Sequence, residues 1–197
     1  NSTEKMKAAI DIGTNTVLLL IAQENEDGLK ILHEEQRMPR LGKGVDVNKT
    51  LSEESIGRVI SSIKDYKDIL STQFTKVSDV IVTATSAVRD ASNRNELINL
   101  VKKETGFDVQ LLSGKEEAEY TYKGALTVFD EQVTGDVFVL DIGGGSTEIA
   151  LGRDGKLIDA HSFDMGCVRF TQRFLVQDPP FQEQIRECRQ AVKSMLD

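Results

Sequence analysis

The chain has 197 residues, 39% hydrophobic and 28% charged, with a formal net charge of −8 at pH 7. That is a folded, globular composition, long enough for one large or two small domains, and its acidity argues against general nucleic-acid binding. The longest apolar run, residues 17–22, is far short of the roughly 20 residues a membrane-spanning helix needs.

Residues 7–13 are predicted as a buried strand, 16–23 as its hairpin partner, and 28–36 as a third strand after an Asp27-Gly28 turn. Residues 40–46 read as a glycine-punctuated loop. Ser52 is placed to N-cap a helix with Glu53 and Glu54 in its first turn. Ile56, Val59, Ile60, Ile63, Tyr66 and Leu70 give that helix one apolar face. A strand at 78–84, a turn carrying Arg89, a helix at 93–105 stopped by Gly106, and a strand at 107–112 follow. Ser113-Gly114-Lys115-Glu116 fits a capping box and opens a helix to 129. The pattern then restarts with strands at 136–142, 147–152 and 156–163 and a glycine corner at 165–168. A helix at 169–176, a break at Asp178-Pro179-Pro180 and a helix at 181–196 complete it.

The restart is a repeat. Asp11-Ile12-Gly13-Thr14-Asn15-Thr16 is echoed by Asp141-Ile142-Gly143-Gly144-Gly145-Ser146-Thr147-Glu148, 130 residues later. Each copy is an apolar strand ending in Asp, a turn of glycine and hydroxyl residues, and a second strand. Glycine lets backbone N–H groups crowd an anion with no Cβ in the way. Hydroxyl and amide side chains add donors, and an Asp can hold Mg²⁺ directly or through water. One such turn alone reads as a plain hairpin; the matched pair predicts two lobes gripping one phosphate chain. The first copy occupies 6–129 and the second only 136–197. We therefore expect a first lobe over 1–131 and a truncated second lobe over 132–197, lacking its last two strands.

Cys167 and Cys188 form no Cys-x-x-Cys pair, which suits reduced thiols and a cytoplasmic setting. His33 and His161 are far apart, so a His-based metal centre or Ser-His-Asp triad has little support. Arg37, Arg40, Lys43, Arg89, Arg94, Lys115, Arg169 and Arg173 are candidates for a local positive field against the acidic whole, with solvated surface charge as the plain alternative for each.

Five motifs, in order, carry a resemblance: residues 11–16, Thr85-Ser86-Ala87-Val88-Arg89, 113–118, 141–148, and Met165-Gly166-Cys167-Val168-Arg169. Together they resemble the exopolyphosphatase/guanosine pentaphosphate phosphatase (Ppx/GppA) family, within the superfamily of actin, sugar kinases and heat-shock chaperones. Many members read Gly-Ser-Asn-Ser where this chain has Gly13-Thr14-Asn15-Thr16, and the hydroxyls are retained. The resemblance implies an α/β fold of ribonuclease-H-like lobes, the first with a mixed five-stranded sheet and helices. It also implies hydrolysis of terminal phosphate from polyphosphate or guanosine pentaphosphate, with Mg²⁺ as cofactor.

By the same resemblance Glu117 activates the attacking water, Asp141 and Glu148 serve metal and catalysis, and Asp11 has a metal-side or water-ordering role. Gly13, Thr14, Asn15, Thr16, Gly143, Gly144, Gly145, Ser146 and Thr147 would bind phosphate, and Arg89 would take it bidentately. Each has a structural alternative: a solvated first-turn glutamate for Glu117, strand-end hydrogen bonding for the acids, a surface salt bridge for Arg89, packing for Gly166. Glu116, three residues after Ser113, fits the capping box better than catalysis. An ATP-dependent small-molecule kinase and a non-catalytic actin-like scaffold stay open as functions, and a homodimer stays open as the assembly. No nucleic-acid polymer or membrane partner is expected.

Overall fold

The computed structural model describes residues 5–26, 28–129 and 131–197. Residues 1–4 and Asp27, half of the turn predicted before the third strand, lie outside the described residues. Packing groups the chain into two units, one up to Leu112 and one from Ser113.

The first unit is built on β1 (Lys5–Ile12), β2 (Val17–Asn25), β3 (Gly28–Arg37), β4 (Val77–Ala84) and β5 (Val109–Leu111), in the order β3-β2-β1-β4-β5. β1, β2 and β3 form an antiparallel meander, while β4 runs parallel to β1 and β5 parallel to β4. Alternation sets the faces: Ala8, Ile10 and Ile12 are buried while Lys5, Lys7 and Ala9 are exposed. Parallel pairing demands a crossover. Between β3 and β4 it is made by α1 (Val45–Asn48) and α2 (Glu53–Thr72). Ser52 caps α2 by accepting from the Ser55 N–H, and all six residues of the predicted apolar face are buried. The Tyr66 hydroxyl donates to the Val17 carbonyl at 2.7 Å, fastening α2 to β2. α3 (Ser86–Asp90) and α4 (Arg94–Thr105) cross from β4 to β5, and α4 stops at Gly106 with φ 81°. α1 and α3 replace the loop and the turn expected from sequence, because one helical turn is too short to display a period.

The second unit contains α5 (Gly114–Leu126), β6 (Asp136–Ile142), β7 (Thr147–Arg153), β8 (Lys156–Phe163), α6 (Cys167–Phe174) and α7 (Gln182–Leu196). Its strands form an antiparallel sheet in the order β6-β7-β8. The Ser113 capping box is present: Ser113 Oγ accepts from the Glu116 N–H at 3.2 Å, and Glu116 Oε2 accepts from the Ser113 N–H at 2.8 Å. The Ser113 N–H first, and the Ser113 hydroxyl second, hold the Glu116 carboxyl below its ordinary pKa of 4.5. Ala118 and Tyr122 of α5 pack with Ala150 and Ala160. Gly152 makes room for this, since a Cβ there would lie 1.7 Å from the Tyr122 hydroxyl oxygen. That hydroxyl is buried and has no hydrogen-bond partner.

Packing therefore puts α5 with the second sheet, whereas the sequence reading closed the first lobe at 131. Periodicity shows that a helix has a face to bury, but not which sheet buries it. Cys167 and Cys188 are free thiols, Cys167 exposed and Cys188 half-buried. No described helix is long and apolar enough to cross a membrane.

Candidate functional site

The two glycine turns close in the same way. The Gly13 N–H donates to the Thr16 carbonyl at 2.8 Å, and the Gly143 N–H to the Ser146 carbonyl at 2.9 Å. A Cβ at either glycine would sit 3.1 Å from that carbonyl oxygen. Each turn is also braced by the segment following the third strand of its sheet. In the first unit Arg40 and Gly42 N–H groups donate to the Asn15 and Thr14 carbonyls at 3.1 and 2.7 Å. Contact is so close that a Cβ on Gly42 would fall 2.2 Å from Thr14 Cγ2.

The brace in the second unit is denser. The Cys167 N–H donates to the Gly143 carbonyl at 2.9 Å, and the Val168 and Arg169 N–H groups share the Gly144 carbonyl at 2.9 and 3.0 Å. Arg169, only 6% exposed, donates from Nε to the Gly145 carbonyl at 2.6 Å. Thr147 Oγ1 donates to the Met165 carbonyl at 2.7 Å. Three consecutive turn carbonyls, which would repel an anion, are thereby engaged by donors. Two expectations shift here: Arg169 buttresses the turn rather than extending a surface field, and the Thr147 hydroxyl proton points inward to Met165.

In the first unit β1, β4 and β5 are parallel, so their carboxyl ends share one edge, where ligands of such sheets bind. That edge gathers the 13–16 turn, Thr85 (whose N–H donates to the Ile12 carbonyl at 3.2 Å) and Arg89. Asp11 is held by Thr83, whose Oγ1 donates to Oδ1 at 2.7 Å. Arg89 stands on α3 and donates from Nη1 to the Leu112 carbonyl at 2.9 Å, while Arg94 donates to the Arg89 carbonyl at 2.8 Å. Asn15 directs its amide toward Met38 Sδ at 3.9 Å. Of the other basic candidates, Arg37 lies over the Tyr66 ring beside Glu35, and Arg173 over the Phe170 ring. Arg40, Lys43 and Lys115 are exposed.

The second unit adds something the first lacks. Register places Asp141 opposite Glu148, and Glu148 opposite Ser162, a row across all three strands. Directly opposed residues share a face of the sheet. Glu148 is 2% exposed, and its Oε1 accepts from Ser162 Oγ at 2.7 Å; Asp141 is exposed. The start of α5 rests on this row, for a Cβ on Gly114 would fall 2.7 Å from Ser162 Cβ. Glu117 is half-buried in that same first turn, its N–H donating to the Ser113 carbonyl at 2.9 Å. Ser162 was missed from sequence, since a lone serine on a strand carries no motif; only the register exposes it.

Like charges directly across a strand pair repel, and a cation beside them relieves the repulsion. Mg²⁺ binds through one or two carboxylates with waters and phosphate oxygens making up the rest. Asp141 and Glu148 supply such a pair, so the donor chemistry fits. Among the described residues no group of three or more His, Cys, Asp or Glu is arranged as a metal cage. Asp11 belongs to the other unit and is not part of this row. Opposite Asp11 on β2 stands Leu18.

Residues 20–197 match the family model described as the Ppx/GppA phosphatase family. The chain is 36% identical over 200 residues to exopolyphosphatase 2 of Mycobacterium tuberculosis, covering 96% of this chain and 61% of that protein. It is 31% identical over 197 residues to the guanosine-5′-triphosphate,3′-diphosphate pyrophosphatase of Pseudoalteromonas atlantica, covering 100% of this chain and 38% of that one. Its fold is similar to the crystal structure of an exopolyphosphatase from Cytophaga hutchinsonii, with a TM-score of 0.89 and 33% identity over 98% of this chain and 61% of that chain. The chain spans less than two-thirds of the length of each.

Proposed function

Because the chain belongs to the Ppx/GppA phosphatase family, we propose that the protein carrying it hydrolyses the terminal phosphoanhydride of inorganic polyphosphate or of guanosine pentaphosphate. The substrates named for its relatives support this reading. The observation that carries it is the second turn: a glycine loop with its carbonyls engaged from behind, next to a cross-strand pair of carboxylates. Such an arrangement suits a phosphate chain with a divalent cation alongside.

Glu117 takes the proton of the attacking water as the water oxygen bonds to the terminal phosphorus. The bridging P–O bond breaks, and its electron pair leaves with the shortened chain. Bound Mg²⁺ would neutralise charge on the phosphate oxygens, held by Asp141 and Glu148. Residues 143–147, and in the first unit residues 13–16 with Arg89, would each bind phosphate, through those backbone N–H groups and hydroxyls that are not already donating within the turn or to its brace and through the Arg89 charge. Asp11, whose Oδ1 accepts from Thr83 Oγ1, would take a metal-side or water-ordering role.

The test is Glu117→Gln in the intact protein, which should lower kcat by roughly 10²–10⁴-fold with KM nearly unchanged. Glu116→Gln should retain most activity, because glutamine still completes a capping box. Undiminished turnover in Glu117→Gln would remove that residue from the mechanism, and an equal loss in Glu116→Gln would reverse the assignment. Side-by-side kinetics on polyphosphate and guanosine pentaphosphate decide between the two substrates.

A further inference from the structure

We infer that Ser162 is a positioning residue that orients Glu148 and seats the helix bearing Glu117; this rests on the functional reading above. Three observations converge on it. Ser162 stands directly opposite Glu148 in the β7–β8 register. Its hydroxyl donates to Glu148 Oε1 at 2.7 Å, the short, charge-assisted kind of hydrogen bond. Its Cβ is the surface against which the first residue of α5 packs, so closely that only glycine fits at position 114.

The chemistry follows from the burial. Glu148 is almost wholly removed from solvent, so protein groups must fix which way its carboxylate faces. A hydroxyl on one oxygen restricts rotation of the whole group and leaves the other oxygen with a defined direction. Groups that orient the residues binding a cation or water in this way contribute strongly although they touch neither. Ser162 also joins two elements far apart in sequence. Displacing its side chain perturbs Glu148 through the hydrogen bond and the α5 start through the Gly114 contact. One serine therefore sets the relative placement of two acids assigned to a single reaction.

A double-mutant cycle of Ser162→Ala and Glu148→Gln in the intact protein tests this. It is read as kcat for phosphate release with saturating Mg²⁺, and as the urea midpoint of the Mg²⁺-free protein. Ser162→Ala should lower kcat roughly 10–100-fold with KM within about twofold. Because alanine keeps the Cβ that meets Gly114 and removes the hydroxyl that meets Glu148, the double variant should be no slower than Glu148→Gln alone, and the urea midpoints should show the same non-additivity. Ser162→Cys, close in volume and retaining a weak donor, should fall between serine and alanine, and it covers the case in which Ser162→Ala folds poorly. Additive losses, or wild-type kcat in Ser162→Ala and Ser162→Cys, would overturn the assignment. Wild-type kcat in Glu148→Gln would instead refute the functional reading of Glu148, and the urea cycle alone would then decide the coupling.

Discussion

Replacing Gly166 by alanine should displace the second glycine turn without touching any charged group. The added Cβ would lie 2.4 Å from the Gly144 carbonyl oxygen, 2.5 Å from its carbon and 2.6 Å from the Gly145 nitrogen, where ordinary contact begins at 3.4 Å. All three are backbone atoms, so no side chain can swing aside. Relief requires the turn to move by about 1 Å, and a misplacement of that size costs on the order of 10²-fold in rate. Overpacking against immobile backbone should cost about 3 kcal/mol. For a chain of this length that lowers Tm by about 6–12 °C. Thermal melts by circular dichroism give the stability term, and steady-state phosphate release in the intact protein gives the rate. Gly57→Ala is the internal control: Gly57 is exposed in mid-α2, and an added methyl carbon there would meet nothing within 4 Å. There alanine should stabilise by about 0.5–1 kcal/mol. A Gly166→Ala protein that melts with wild type and keeps its turnover would refute the close-packed brace.

The buried, unpartnered Tyr122 hydroxyl makes Tyr122→Phe neutral or stabilising, by up to about 1 kcal/mol in urea unfolding; a clear loss would mean that the hydroxyl has a partner. Burial pushes the Tyr66 phenol up from 10.0 to about 12. Its folded pKa is raised, so its contribution is complete below pH 10 and is lost as pH rises through about 12. Phenolate absorbance from Tyr66 should therefore appear together with loss of circular dichroism. Ionisation near pH 10 with the fold intact would refute this.

Strong periodicity made most of the fold legible. α2 was readable because six apolar residues at helical spacing and a serine cap agree, and all six are buried. The Ser113 capping box could be read because both partners lie within one turn of sequence. What escaped was set by distant partners. The sheet that buries α5 depends on Ala150 and Ala160, which helix periodicity cannot name. Arg169 reads from sequence as a candidate for a local positive field, because nothing local shows that its guanidinium meets the Gly145 carbonyl, 24 residues away. Gly166 was equally consistent with a ligand or with packing until Gly144 was seen against it. The paired turns were visible in sequence; the segments that hold them were not.

The doubled hairpin repeats its strand register, and the position opposite the repeated aspartate differs in charge between the copies. Where the second copy faces its aspartate with Glu148, the first faces Asp11 with Leu18. A leucine can neither receive a proton nor hold a cation. Of two matching frames, then, only the one with Glu148 opposite its aspartate presents paired acids. Transplanting that one side chain into the other copy would ask whether the division of labour lies in the scaffold or in the residue it displays.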